Sequence, residues 1–129
     1  MSTAYETTER WNDLESLLAL IESAWFTNVH PLTVHSRNYD NDTPLHTVIT
    51  WHDIRAAEVL IQAGADINAL GEDGDTPLHQ AVRLSEFRIA RMLIAHGANQ
   101  DIRNTEGKKP CDCCWEGEWP IIFGVTNDI

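Results

Sequence analysis

A period of 33 residues constrains this 129-residue chain more than any other feature of its sequence. The tetrad Thr-Pro-Leu-His begins at residue 43 and again at residue 76, and residues 109–112 form a degraded third copy that keeps the proline. A second motif that begins with Gly-Ala recurs at the same offset, at residues 64 and 97. Because both motifs share one period, we predict stacked units, each of which buries its apolar face against the next.

Within each unit, the sequence predicts a short helix followed by a second, amphipathic helix. Thr43 and Thr76 are suited to cap the first helix, because a hydroxyl can accept from an unpaired backbone N–H, and a proline follows each at the first helical position. Asp53 and Ser85 are the candidate caps of the second helix. The residues that mark its buried face are Ala57, Leu60 and Ile61 in one unit and Ile89, Met92 and Leu93 in the next.

The segments after the second helices complete the pattern. Gly64 and Gly97 are expected to end these helices in a left-handed conformation, and the polar stretches 66–75 and 99–108 are expected to project as hairpin fingers. At these residues the sequence resembles the ankyrin-repeat family, whose unit is a turn plus two antiparallel helices; the close match covers residues 41–107. The resemblance implies an all-α ankyrin-repeat solenoid of stacked helix-turn-helix units, with hairpin fingers and modified terminal caps.

The ends of the chain are expected to close the stack, since a terminal unit has only one neighbour. Residues 13–22 predict an outer helix capped by Asp13, residues 109–115 predict a first helix, and residues 120–123 predict the start of a truncated second one. We therefore expect a single domain over residues 1–129. Its parts are an N-terminal cap unit with a long loop (1–40), two repeats (41–73 and 74–106) and a C-terminal cap unit (107–129).

The loop from Trp25 to Tyr39 is longer than the matching segment of the following unit and is rich in aromatic residues. A loop of this kind is either a binding element or a lid packed over the first unit. The sequence leaves both alternatives open.

Charge limits the classes of partner. The chain has 20 Asp and Glu against 9 Lys and Arg, and its formal net charge is -11. It should repel nucleic-acid phosphates and anionic membranes and attract a basic protein. The start of the chain lacks the pattern of a signal peptide, and the cluster Cys111, Cys113 and Cys114 is a poor disulfide framework. These features favour a reduced, cytoplasmic protein.

No residue pattern in the sequence predicts catalysis or cofactor binding. His46 and His79 occupy equivalent places in successive units, where the family resemblance implies that they support the turn by hydrogen bonding. Neighbouring helices lie about 8–10 Å apart, too far for both imidazoles to share one ion. The cysteines lack a second metal-binding pair and favour core packing, with a metal or redox role as the alternative. Catalytic motifs are absent, so we expect no enzyme activity, no metal, no cofactor and no small-molecule substrate.

Candidate binding residues follow from the resemblance, because partners of ankyrin-repeat proteins usually lie against the fingers and the concave face of the inner helices. The positions carried over are Tyr39, Asp40, Asp42, Thr50, Trp51, Glu72, Asp73, Asp75, Arg83, Leu84, Thr105 and Glu106. We expect Trp51 to lie outside the buried stripe, where an exposed ring among carboxylates would have the composition of a binding hot spot.

These observations predict a protein-interaction module that binds a basic partner through an acidic concave and finger face. Short, acidic ankyrin proteins resemble the immunity proteins of bacterial toxin systems, which occlude toxins such as nucleases. An inhibitor or immunity protein is therefore the favoured function, since a nuclease surface is basic. The alternative is a general scaffold or regulatory subunit with no inhibitory role.

Overall fold

A computed structural model describes residues 13–25 and 32–114 of the chain. In this part the chain forms five α-helices and two short 3-10 turns, at Glu72–Gly74 and Pro110–Cys113, and no strand. The helices are α1 (Leu14–Trp25), α2 (Pro44–Thr50), α3 (Ile54–Gln62), α4 (Pro77–Arg83) and α5 (Phe87–Ala95). None of these helices is long and apolar enough to cross a membrane. The predicted all-α repeat fold is confirmed.

The helices form two layers that are held together by one continuous apolar core. The inner helix α2 packs against its own outer helix α3 and against the next inner helix α4, and α4 packs in turn against α5. Helix α1 packs against both α2 and α3. Leu60 and Leu93, which are one period apart on the outer helices, are completely buried. Burial of each such side chain contributes about 1.5–3 kcal/mol to folding.

One buried histidine in each of the inner helices α2 and α4 connects that helix to the finger that follows it. Thr43 Oγ1 accepts from the His46 N–H at 3.5 Å, and Thr76 Oγ1 accepts from the His79 N–H at 3.2 Å. In return, each histidine Nδ1 accepts from the N–H of its threonine. Each Nε2–H then donates to a finger carbonyl, that of Asp75 at 2.9 Å or of Lys108 at 2.8 Å. The structural role that the resemblance implied for these histidines is confirmed.

The caps of the outer helices are only partly as predicted. Asp53 accepts from the Ala56 N–H at 3.0 Å, as expected for the cap of α3. For α5, the prediction of Ser85 is wrong, because the cap position is Glu86, whose side chain makes no capping hydrogen bond. Ser85 instead has a φ of 56° and, like His52 with a φ of 60°, supplies the left-handed residue that the turn between inner and outer helices requires.

The two ends of the described chain differ in how well they agree with the prediction from the sequence. Asp13 caps α1 by accepting from the Ser16 N–H at 2.8 Å, as predicted. The helix predicted for residues 109–115 is wrong over its described part, which forms a single 3-10 turn. The chain leaves this turn in an extended conformation at Cys114, so the turn ends there. The helix predicted to begin at residue 120 lies outside the described residues.

The described part of the long loop, residues 32–39, contributes both to packing and to the surface. Leu32 and Val34 are 7% and 9% exposed and belong to the apolar core. The Leu32 N–H donates to Glu22 Oε2 at 3.3 Å, which holds the loop against α1. Tyr39, at the far end, is 88% exposed. Leu32 and Val34 thus pack as a lid would, whereas Tyr39 lies at the surface.

Candidate partner-binding groove

Three fingers project from the helices at intervals of one period. Finger 1 comprises residues 38–42, finger 2 residues 71–75 and finger 3 residues 104–108. In each finger the N–H of the first residue donates to the carbonyl of the fifth at 2.7–3.0 Å. The fourth position is left-handed in every finger, with φ of 67° at Asn41, 73° at Gly74 and 76° at Gly107. Asn and Gly are the residues that take this conformation most readily.

The sequence predicted hairpin fingers only at residues 66–75 and 99–108, so finger 1 was not predicted, although Tyr39, Asp40 and Asp42 were carried over as binding positions. A usable signal was present: Arg37-Asn38 and Arg103-Asn104 lie two periods apart. Both arginines donate from Nη1 to the carbonyl of the fourth finger residue at 2.8 Å. Both asparagine Oδ1 atoms accept from the N–H groups of the third and fifth finger residues at 2.9–3.0 Å. Fingers 1 and 3 are therefore built in the same way.

Finger 2 differs, because its first residue is Gly71. The carboxylate of Asp42 occupies the space that an asparagine side chain would fill at this position. Its Oδ1 accepts from the Glu72 N–H at 2.9 Å. A Cβ atom at position 71 would lie 2.3 Å from that oxygen and 2.8 Å from Nε2 of His46. Glycine at this position therefore permits finger 1 to join finger 2.

Fingers 2 and 3 are also joined directly. The Thr105 N–H and hydroxyl both donate to the Asp73 carbonyl, at 3.0 and 2.9 Å. The Asn104 amide donates to Asp75 Oδ1 at 2.9 Å. Together with the bond between Asp42 and Glu72, these contacts make the three fingers one connected row.

A groove of about 410 Å³ lies between this row and the inner helices. It is lined by Asp42, His46, Thr50, Glu72, Asp73, Asp75, Gln80, Arg83, Leu84 and Glu106. An adjoining concavity of about 220 Å³ shares several of these residues and adds Asn38, Asp40 and Thr47. We call the two together the acidic groove, because they are lined by six carboxylates and one arginine.

The structure brings together most of the residues predicted to bind a partner. Nine of them line the acidic groove: Asp40, Asp42, Thr50, Glu72, Asp73, Asp75, Arg83, Leu84 and Glu106. Tyr39 and Thr105 lie exposed on the fingers beside it. Gln80 was missed; its amide donates to the Thr50 hydroxyl and so connects α2 and α4 in the groove floor. That these residues bind a partner stays a prediction.

Trp51 is the exception, and its predicted exposure is wrong. Its side chain is 4% exposed and belongs to the apolar core. Trp51 is the C-cap residue of α2, and its ring packs into the apolar core although the repeat pattern had placed this position away from the buried stripe. The ring therefore contributes to packing and cannot serve as an exposed hot spot. Leu84, at the equivalent position one period later, is 39% exposed and lines the groove.

Charge is distributed unevenly along the acidic groove. Near finger 3, Arg83 donates to both carboxylate oxygens of Asp75 at 3.0 and 3.2 Å, and its Nη2 lies 3.8 Å from Glu106 Oε1. The hydrogen bonds that Arg83 donates to Asp75 raise the pKa of Arg83. Near finger 1, repulsion from Asp40 and then Asp42 raises the pKa of Glu72. The negative charge is thus partly neutralised by Arg83 near finger 3, whereas the carboxylates near finger 1 repel one another.

The other reactive side chains make packing contacts. Cys113 and Cys114 are partly buried against the apolar core, which agrees with the packing interpretation of the cysteines. Burial is the first cause of a raised pKa at Cys111 and Cys113, which favours the unreactive thiol. Within residues 13–25 and 32–114, no three His, Cys, Asp or Glu side chains are grouped so that they could hold a metal ion.

Comparison with known proteins agrees with the architecture. A family model described as ankyrin repeats, in three copies, matches residues 8–104, about three quarters of the chain. No curated protein matches the chain.

Proposed function

The chain belongs to the ankyrin-repeat family of protein–protein interaction modules, and on this premise we propose that its acidic groove binds a basic segment of another protein. The observation that carries the proposal is the composition of the groove wall, in which six carboxylates accompany a single arginine. The net charge of -11 extends the same attraction beyond the groove. Charge complementarity of this kind raises association rates from about 10⁵–10⁶ to as much as roughly 10⁸–10⁹ M⁻¹s⁻¹ at low salt.

The connected fingers support this proposal independently of charge. The Glu72 N–H donates to the Asp42 carboxylate between fingers 1 and 2, and a backbone hydrogen bond links fingers 2 and 3, so the groove wall is organised before a partner arrives. A wall that is already ordered loses little conformational entropy on binding. An open, polar groove of this shape suits an extended segment of a protein better than an enclosed small molecule.

Within this proposal, the favoured role is that of an inhibitor or immunity protein. A nuclease toxin exposes basic residues because it must hold phosphates, and a carboxylate-lined groove placed over them would block its substrate. Such a role suits the cytoplasm of the cell that makes the toxin, and the three cysteine thiols are compatible with that reducing compartment. The alternative is a scaffold that binds a basic partner without blocking it.

The binding proposal is tested with a fluorescent octa-arginine peptide at about 50 mM salt, where charge attraction is weakly screened. We expect Glu72→Gln combined with Asp73→Asn to weaken binding about 10-fold, because both carboxylates line the groove. Glu58→Gln combined with Asp66→Asn removes the same charge outside the groove and should weaken binding less than about 2-fold. Equal losses in the two double variants would show that net charge alone attracts the peptide.

The inhibitory role needs the natural partner. Crosslinking in the cells that make this chain, followed by mass spectrometry, would identify a candidate, and its activity would then be measured with and without the purified chain. We expect inhibition by the unaltered chain and by the Glu58→Gln, Asp66→Asn control, but not by the groove double variant. Full partner activity in a saturated complex would favour the scaffold.

A further inference from the structure

Resting on the proposed function, we propose that Arg83 is a specificity-determining residue that fills the finger 3 half of the acidic groove. The finger 1 half is left for an arginine side chain of the partner. The chain's own guanidinium thus fixes the register in which a basic segment binds.

In the finger 3 half, the carboxylates already have donors from the chain itself. Arg83 engages both oxygens of Asp75 in a bidentate pair, the strongest geometry for an arginine and a carboxylate. The Asn104 amide adds a third donor to Asp75, and Glu106 lies within ion-pair distance of Arg83. A cation from the partner could reach Asp75 only by displacing Arg83.

In the finger 1 half, the carboxylates are not paired with a groove-lining cation. Asp40, Asp42 and Glu72 line this part, and no Lys or Arg is among the described residues that line it with them. Arg37, the nearest arginine in sequence, donates from Nη1 to the backbone carbonyls of Asn41 and Leu70. Mutual repulsion raises the pKa of Glu72, with Asp40 as its first cause. A cation bound here would relieve that repulsion.

The exposed ring of Tyr39 favours arginine as this cation. Tyr39 precedes Asp40 in finger 1 and is 88% exposed, so an aromatic residue is next in sequence to the carboxylates of this half. A guanidinium can stack on an aromatic ring while it donates to carboxylates in its plane, whereas an ammonium group lacks that planar geometry. The combination of an aromatic face and several carboxylates therefore selects arginine over lysine.

The first test measures binding of octa-arginine at about 50 mM salt to variants of Arg83. Arg83→Gln should bind about 3- to 10-fold more tightly, because it uncovers Asp75 and Glu106. Arg88→Gln makes the same charge change on the outer helix α5 and should alter affinity less than about 2-fold. Arg83→Lys keeps the charge but not the bidentate pair with Asp75, so in the same titration its affinity should lie between those of the unaltered chain and Arg83→Gln. An effect of Arg83→Gln no larger than that of Arg88→Gln would overturn the proposal.

The same titration compares the two halves through Asp40 and Glu106, which hold the third position of fingers 1 and 3. Asp40→Asn should weaken binding about 5-fold and Glu106→Gln less than about 2-fold. Tyr39→Ala should reduce the preference for octa-arginine over octa-lysine. Equal losses at Asp40 and Glu106 would refute the assignment of the halves while leaving groove binding intact. Failure of octa-arginine to bind the unaltered chain would instead refute the proposed function itself.

Discussion

At the scale of single residues, His46 joins two separate parts of the chain through opposite edges of one ring. Because the Asp75 carbonyl can only accept, Nε2 must carry the proton, and Nδ1 is left to accept from Thr43. Burial is the first cause of a lowered pKa at His46. The neutral ring is therefore the form that the fold requires.

This requirement predicts that acid destabilises the fold. An unfolded His46 binds a proton near its ordinary pKa of 6.5, whereas the folded residue does so only at lower pH. Since the unfolded state binds more protons, the free energy of unfolding is highest above pH 6.5 and falls as the pH drops from there through the folded pKa. Urea unfolding between pH 7.5 and pH 5 measures this, with His46→Gln as the comparison. The same pH dependence in both proteins would contradict the assignment.

At the scale of elements, equivalent positions in α3 and α5 show what the sequence could and could not predict. The 33-residue period and the Thr-Pro pairs correctly predicted both inner helices, because these caps depend on residues close in sequence. The cap of α5 was misassigned because serine is a better capping residue than glutamate, although the period itself maps Asp53 onto Glu86. The burial of Trp51 and the 3-10 turn at residues 110–113 were mispredicted because both depend on packing against neighbouring elements, which overrides local preference.

The difference between the two outer helices predicts unequal effects of the same substitution. Asp53→Ala removes a capping hydrogen bond and should lower the free energy of unfolding by about 1–2 kcal/mol. Glu86→Ala removes no capping hydrogen bond. It removes only a partly exposed contact with His52, so it should lower the free energy of unfolding by less than about 1 kcal/mol. Urea unfolding of both variants at pH 7.5 checks the comparison. A loss at Glu86 as large as that at Asp53 would show that its side chain stabilises α5.

At the scale of the whole molecule, the repeat makes charge accumulate on one face. The third positions of the three fingers are all acidic, so stacking places Asp40, Asp73 and Glu106 in one row. The sequence predicted most of this face, because fingers follow the period. It could not predict which carboxylates are compensated, since the pairing of Arg83 with Asp75 depends on how α4 lies beneath finger 2.

Repulsion among the carboxylates near finger 1 should lower the free energy of unfolding at low salt. We expect Glu72→Gln to raise the melting temperature at about 20 mM salt and to have no effect at about 500 mM salt, where the repulsion from Asp40 and Asp42 is screened. Glu58→Gln, outside the groove, is the matched control and should change the melting temperature less. Calorimetry at the two salt concentrations measures both variants. A gain that persists at high salt would point to a cause other than charge.

The missing side chain at Gly71 means that the internal repeats are not interchangeable modules. Asparagine fits the first position of fingers 1 and 3, but at position 71 any side chain would collide with Asp42 and His46. In a duplicated or shuffled version of this array, residues 42 and 71 would therefore have to be transferred together. The contact between fingers 1 and 2 is specific to this one junction. A design that extends the array should therefore copy both of its residues.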